Sequence, residues 1–473
     1  MNIRYFVPFA DNSKSEDMSI NKTPPFLQIF LLIALFAMPF LFSACTSSGG
    51  DAEKPNVVLI FADDMGYGDL SCYGHPIIKT PHLDQMADDG IRFTSFYVAA
   101  SVCTPSRAAL LTGRYPSRHL PHNLGPRSEG GLPLEEITVA DILKDQGYNT
   151  MAIGKWHLGL PPAYLPTSRG FDSFYGLPYS NDMILPWCPW LSEDHRLFLY
   201  SDTTRVREIG YEQDDLSKMY TEKALEFIEE NKDQPFFLYL AHSMPHLPIS
   251  TSEEFRGKSK AGLYGDVIQT IDWSVGQILE ILHDLNLVDK TMVIFTSDNG
   301  PWHNLPERML QRGVEHWHAG STGPLRGAKA TTYEGGFRVP AIIRWPGVIP
   351  DAQVSDEIVC TMDLFTTIIK LAGGELPSDR VIDGQDAIQV LKGEGPSQKE
   401  LYFYLAGNKV QAVRKGAWKL RHTESDGIQL FNLETDHSEM YNRAGEFPDL
   451  VDELYLEMEK FSTMAKANID KLN

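Results

Sequence analysis

Apolar residues run unbroken through several short segments of this chain and recur every three or four positions through others. Asn56-Val-Val-Leu-Ile-Phe-Ala62 leaves no alternate position polar, the pattern of a strand buried on both faces in a parallel sheet. Thr291-Met-Val-Ile-Phe-Thr296, Pro235-Phe-Phe-Leu-Tyr-Leu-Ala241 and the shorter Asn149-Thr-Met-Ala-Ile153 read the same way. Between them, Thr138 to Gln146 carries apolar residues at Val139, Ile142 and Leu143, and Ser217 to Asn231 and Tyr264 to Leu285 are longer amphipathic stretches. Strands alternating with helices predict an α/β domain with a large, mostly parallel sheet and helices on both faces. After about Gly395 the pattern shortens. Leu401 to Tyr404, Lys409 to Arg414, Trp418 to Arg421 and Gln429 to Asn432 predict a small antiparallel sheet, packed with a closing helix over Leu450 to Ala465. The expected division is a main domain over 55–395 and a smaller α+β subdomain over 396–473.

One apolar run has a different meaning. Phe26 to Phe42 has Gln28 as its single polar side chain, and it leads into Leu41-Phe42-Ser43-Ala44-Cys45. It has the length of a signal-peptide apolar region and is short for a membrane span. Small residues before a cysteine predict a lipoprotein signal over 1–44, cleaved before a lipidated Cys45, with Met18 a candidate start. Residues 45–54 are small and polar, as a tether would be. The expectation is an exported lipoprotein of a bacterial cell envelope, held on a membrane through Cys45.

Composition narrows the rest. The 473 residues are 42% hydrophobic and 22% charged, which excludes a disordered or collagenous chain. Asp and Glu number 63 against 42 Lys and Arg, a net charge of −21, and that argues against nucleic acid as a partner. Five cysteines are too few for a disulfide scaffold.

Candidate chemistry gathers where the predicted strands end, the place where open α/β sheets bind ligands. The first strand runs into Asp63-Asp64 and the Thr291 strand into Asp298-Asn299-Gly300. Two buried strands that both finish in paired oxygen donors suit a hard cation, Ca²⁺ or Mg²⁺. The segment Ser101-Val-Cys103-Thr-Pro-Ser-Arg107 predicts a helix starting at Pro105. Cys103 then stands at a helix N-terminus, where free N–H groups attract anions, with Arg107 one turn along. Lys155 and His157, two apart at a strand end, present a cation and an imidazole to one cavity.

Cys103-Thr-Pro-Ser-Arg107, followed by Leu110-Leu-Thr-Gly-Arg114, resembles the signature of the type I sulfatases. The resemblance continues, in family order, through Asp63-Asp64-Met-Gly-Tyr-Gly-Asp69, Gly154-Lys155-Trp156-His157-Leu158-Gly159, Pro245-His246-Leu-Pro248, Ser297-Asp298-Asn299-Gly300-Pro301 and Arg326-Gly-Ala-Lys329-Ala-Thr-Thr-Tyr-Glu334-Gly-Gly336. Tyr164-Leu-Pro and Gly176-Leu-Pro-Tyr-Ser180 are similar to the arylsulfatase A and N-acetylgalactosamine-6-sulfatase branch. The resemblance implies an alkaline-phosphatase-like fold and a sulfatase that uses Ca²⁺, with Mg²⁺ the other candidate. It implies a maturation enzyme that oxidises Cys103 to formylglycine, whose hydrate attacks sulfur and whose second hydroxyl later expels sulfate.

By the same resemblance, Asp63, Asp64, Asp298, Asn299 and residue 103 surround the cation. Arg107 steadies the hydrate and Asp298 is the candidate base for it, Lys155 and Lys329 stabilise the sulfuryl group, His157 is a catalytic candidate facing the same cavity, and His246 contacts the sulfate or protonates the leaving oxygen. Ser180 is a substrate contact. The implied substrate is a small sulfated compound or a sulfated glycan. His242, Asp182, Trp187, Trp190, Trp302, His303, His316 and His318 are candidates for a substrate rim, or loop packing. Cys72, Cys188 and Cys360 allow at most one disulfide. Two other readings compete: a phosphonate or phosphate ester hydrolase of the same superfamily, and an inactive sulfatase-like surface binding protein.

Overall fold

In the computed structural model, residues 54–469 are described; the expected signal, the lipid-bearing Cys45 and nearly all of the tether lie outside them. The strand Asn56–Ala62 is buried at every position and pairs in parallel with Phe236–Ala241 on one side and Thr291–Ser297 on the other. Val57, Leu59 and Phe61 enter one core, and Val58, Ile60 and Ala62 enter another. Two cores, one on each face, are why the sequence shows no alternation here. The helices Cys103–Thr112, Val139–Asp145 and Thr361–Leu371 pack into the first core, and Pro81–Asp88, Leu216–Glu230 and Gly262–Asp284 into the second. Helices therefore cover both faces, as the pattern predicts. Thr138 caps its helix with a reciprocal Thr138–Asp141 capping box.

The sheet is more mixed than its sequence suggests. Five neighbouring strands, among them Asn149–Lys155 and Ser173–Leu177, are mutually parallel. Outside them, Ala341–Arg344 runs antiparallel to Thr291–Ser297 and to Ile91–Phe93, while Leu197–Ser201 and Thr204–Ile209 form an antiparallel hairpin at the far edge. These outer strands are short, and Thr204–Ile209 is exposed at all but its last residue, so no unbroken apolar run marks it.

The strands Leu401–Ala406, Lys409–Lys415, Trp418–Thr423 and Gly427–Asn432 make the expected separate antiparallel sheet. The helix Pro448–Ile469 lies against it: Phe461 stacks on Phe403 at 4.2 Å and also meets Tyr115 of the larger part at 4.9 Å. Among the described residues no disulfide forms, and Cys72, Cys103, Cys188 and Cys360 are all free. No described helix is long and apolar enough to cross a membrane.

Candidate active site

Adjacent parallel strands deliver their C-terminal residues to one point. Ala62 pairs with Ser297, so the next residues meet: Asp298 N donates to Ala62 O at 3.1 Å, and Asp64 N to Asp298 Oδ1 at 3.0 Å. Two strands away, Lys155 ends its own strand and reaches back to Asp63 Oδ2 at 2.5 Å. Cys103 opens its helix two residues earlier than the sequence predicts. Val102 is extended and acts as the cap, and Ser106 N makes the first turn's bond to Val102 O at 3.2 Å. Pro105 then occupies the third position, still in the first turn, where its missing N–H is not needed.

Around Cys103 the buried charges balance. Asp63, Asp64 and Asp298 face Arg107, Lys155 and Lys329. Arg107 holds Asp298 Oδ2 at 2.7 and 3.1 Å and lies 3.4 Å from Asp63; Lys329 Nζ sits 2.7 Å from both Asp64 oxygens. Cys103 Sγ is 3.4 Å from Lys329 Nζ, 3.6 Å from Asp63 Oδ1 and 4.0 Å from Asp64 Oδ1. Burial would raise Asp63, but Lys155, Arg107 and Lys329 hold it below its ordinary value. Burial pushes Asp64 up to about 7 against the pull of Lys329, with Asp63 and Asp298 adding to the rise. Burial raises the Cys103 thiol far above its usual range despite Lys155 and Lys329. Such a thiol stays protonated and is no thiolate nucleophile.

The two histidines are neutral, driven down by burial and by the nearby lysines. Their tautomers follow from their partners, since a carbonyl only accepts. His157 donates Nε2–H to Leu124 O at 2.9 Å, which leaves Nδ1 a buried acceptor with no partner among the described residues. His246 donates Nδ1–H to Leu247 O at 2.6 Å and turns Nε2 toward Asp64 Oδ2, 3.6 Å away. Asn299 Oδ1 is likewise buried and unpartnered, while Asn299 Nδ2 donates to Asp64 at 2.6 Å. Asp63, Asp64, Cys103 and His246 bring ligand-capable atoms within 4.8 Å of one another.

The backbone is strained at this point. Asp64, His157 and Ala330, the neighbour of Lys329, all have positive φ, a conformation that costs of order 1–3 kcal/mol at a non-glycine residue and persists only where the surroundings impose it. Gly300 permits the closest approach: a Cβ there would lie 1.8 Å from Gly335 O, and its N–H donates to Gly336 O at 3.0 Å. This contact ties the Asp298–Asn299 loop to the Lys329 segment.

The sequence-predicted core residues thus come together. The rim candidates divide. Trp302 stands over the centre, its ring 5.3 Å from Lys329 Nζ and 5.8 Å from the His246 ring. Ser180 and Asp182 are buried, and Lys155 and Lys329 are among the charges that act on Asp182. Trp190 is 59% exposed. Trp187 is packing, fully buried and stacked on Tyr211 at 5.0 Å. His242 bonds Ser274 at 3.2 Å, away from the charged cluster, and burial lowers it to about 4. His318 takes the N–H of Glu315 at 3.0 Å and serves its own loop; His303 and His316 lie exposed on loops.

Sequence reasoning gives Glu334 no role. It is wholly buried, accepting from Lys419 at 2.9 Å and from Tyr97 and Tyr404 at 2.6 Å each. Its place in the Lys329 segment is the one signal that could have found it.

A family model described as Sulfatase matches residues 55–374, and one for the C-terminal part of N-sulphoglucosamine sulphohydrolase matches residues 328–464. Human arylsulfatase A is 41% identical over 414 residues, covering 78% of this chain and 75% of that protein. Canine N-acetylgalactosamine-6-sulfatase is 39% identical over 402 residues, 80% and 74%. A solved Bacteroides thetaiotaomicron protein, described with the metabolism of multiple glycosaminoglycans and labelled 6S-sulf, has a TM-score of 0.76 at 31% identity and covers 87% of this chain and 100% of its own. A second structure, solved with a neocarrahexaose, reaches a TM-score of 0.76 at 31% identity, covering 86% and 93%.

Proposed function

Because this chain belongs to the sulfatase family, an enzyme family that hydrolyses sulfate esters, we propose that it cleaves sulfate monoesters of sulfated glycans, with formylglycine at position 103 and a bound divalent cation. One observation carries the reading: Cys103 Sγ stands at a helix N-terminus, 3.4 Å from Lys329 Nζ and 3.6 Å from Asp63, with its thiol held protonated. The thiol itself is a poor nucleophile there, whereas a hydroxyl-bearing oxidised side chain would sit amid cations and oxygen donors. Cys103 is 1% exposed, so its oxidation by a maturation enzyme belongs to a stage before folding is complete.

The residues fit a hard cation. The donors are carboxylate and amide oxygens, and the unpartnered Asn299 Oδ1 supplies one that nothing else uses. Asp63, Asp64, Asp298, Asn299 and the group at 103 would hold Ca²⁺, with Mg²⁺ the other candidate. When bound, the cation would polarise sulfuryl oxygens and favour ionisation of the hydrate. The protein balances three carboxylates against three cations, so a divalent ion leaves the site positive by about the charge of a sulfate monoester plus one ionised hydroxyl.

The chain's own groups then have distinct tasks. Lys155 and Lys329 approach the centre from the Asp63 and Asp64 sides and stabilise charge on sulfuryl oxygens. Arg107, clamped by Asp298, fixes the floor. His157 Nδ1, an acceptor without a partner, holds a hydroxyl proton of the hydrate. His246 Nε2 carries no proton in its resting tautomer, so it must gain one, stabilised by the arriving anion, before it protonates the leaving oxygen. Glycan substrates are favoured by the similar structures described with glycosaminoglycans and a neocarrahexaose. We further propose an envelope lipoprotein anchored through Cys45, on the sequence pattern alone; labelled fatty acid incorporation, lost in Cys45→Ala, tests it.

The deciding experiment is peptide mass spectrometry of residue 103 in protein made with a maturation enzyme, together with assays on aryl and glycan sulfates before and after chelation. Formylglycine at 103, with activity lost to chelator and restored by Ca²⁺ or Mg²⁺, supports the proposal. Unmodified Cys103 overturns it in favour of a binding protein, and turnover of phosphonate or phosphate esters alone hands it to that hydrolase class.

A further inference from the structure

The reaction centre opens on one side. The side chains of Arg107 and Lys155 are fully buried, whereas 11% of the Lys329 side chain is exposed. Trp302 stands on that side, and Arg308 lies beyond it, its guanidinium 5.9 Å from the Trp302 ring and 5.3 Å from that of Trp190. Arg127 continues the path, donating to Trp190 O at 3.1 Å. Arg127 also lines a cavity of about 540 Å³ with Tyr179, Tyr200 and Arg205. The segment carrying Tyr179 is tied to the centre through its backbone, since His157 N donates to Pro178 O at 3.1 Å.

Two features give this path a chemistry. The chain carries a net charge of −21, yet Arg127, Arg205 and Arg308 form no ion pair among the described residues. Their planar donors are spent on carbonyls, a hydroxyl and aromatic faces, which leaves N–H groups for an anion. Ser180 Oγ and Asp182 Oδ1, beside Tyr179 in the chain, are buried and find no hydrogen-bond partner among the described residues beyond each other. Buried polar atoms in that condition point to a ligand or water that completes them.

We propose that Trp302, Arg308, Trp190 and Arg127 form a subsite for a second anionic group, sulfate or carboxylate, on the sugar next to the one whose sulfate is removed. The aromatic rings carry sugar faces, and the two arginines bind the second charge. The proposal rests on the glycan reading above and adds to it a specificity for doubly charged oligosaccharides.

The probes are chondroitin sulfate disaccharides with native or carboxyl-reduced uronate, and carrageenan oligosaccharides with one or two sulfates per repeat. They separate a carboxylate from a sulfate as the second group. In matured wild-type protein, kcat/KM for at least one charged probe should exceed that of its less charged counterpart by about tenfold, and the ratio should fall with added NaCl. Arg308→Met and Arg127→Ala should each reduce that ratio to within about threefold. Arg308 also binds Trp187 O at 2.7 Å, so Arg127→Ala guards against a folding defect in the other variant. Ratios within about threefold in wild type for both probe pairs, or ratios untouched by both substitutions, would overturn the subsite. The same affinity ratios, measured calorimetrically on Cys103→Ala protein, read the subsite without turnover. A failed sulfatase reading, seen as no hydrolysis of aryl or glycan sulfates, is thereby distinguished from a failed subsite.

Discussion

Two clusters of buried charge lie five residues apart in the chain, one at Lys329 and the other at Glu334, and they are built on opposite plans. At Lys329, three carboxylates meet three cations, yet Asn299 Oδ1 and His157 Nδ1 have no partner among the described residues. At Glu334 both carboxylate oxygens are taken, and the neighbouring Glu439 Oε1 has its ion pair with Lys419 alone. One carboxylate oxygen accepts from Lys419 and Tyr404, the other from Tyr97, and Glu439 caps Glu334 N at 2.7 Å while pairing with Lys419 at 2.8 Å. Glu334 comes from the larger part of the chain, Lys419 and Tyr404 from the small sheet. A buried carboxylate with both oxygens partnered across two elements fixes their arrangement, whereas open acceptors beside a buried cysteine leave room for a ligand. The same segment thus joins the small sheet at one end and brings Lys329 to Asp64 and Cys103 at the other.

The sharpest way to break this contrast is Cys103→Ala in the first cluster. Turnover of an aryl sulfate should fall at least about 10⁴-fold, as when a nucleophile is removed. The melting temperature should move by only a few degrees, because the thiol makes only long contacts. A comparable loss of stability would mean that the first cluster is structural too.

Lys329→Ala should lower kcat/KM by about 10²- to 10³-fold, the usual loss of one preorganised donor. An equal fall at every leaving group, from good to poor, would place its effect on the sulfuryl oxygens.

Lys419→Met should do the reverse. It strands Glu334 and Glu439 without their shared cation and should cost about 3–5 kcal/mol in urea unfolding. The protein that remains folded should keep KM for a small aryl sulfate within about twofold.

The smallest effect expected is in acid. Burial would raise Glu334, but Lys419, Arg338 and Arg414 bring it down to about 2 from an ordinary 4.5. With the folded value depressed, its contribution is present above pH 4.5 and is lost as the pH falls toward 2, a matter of a few kcal/mol. Unfolding free energies of Glu334→Gln should therefore vary less with pH in that window than those of wild type.

The legible parts of this protein are those with an uninterrupted local pattern. Asn56–Ala62 matches its predicted limits, because a strand buried on both faces must be apolar throughout. Asp63, Asp64, Asp298 and Asn299 are readable as strand-end oxygens from the residue pattern alone, since each pair stands within two residues of the end of an apolar run. Thr204–Ile209 is not readable, because an exposed edge strand has no apolar face to declare. Nor is Arg308: a lone arginine in a loop looks solvated until Trp190 and Trp302 are seen on either side of it. Trp187 misleads in the other direction, since nothing local shows that it stacks on Tyr211 under the surface.

By itself, then, the sequence determined the α/β layering, the antiparallel C-terminal sheet and the segments that carry the chemistry, because periodicity and strand-end composition are local properties of the chain. Tertiary structure alone decided which charges share partners, which tautomer each histidine adopts, and that Lys329 and Glu334 serve separate clusters. Those outcomes depend on distances between residues hundreds of positions apart and on the burial that sets their electrostatics. Neither can be read from a one-dimensional pattern.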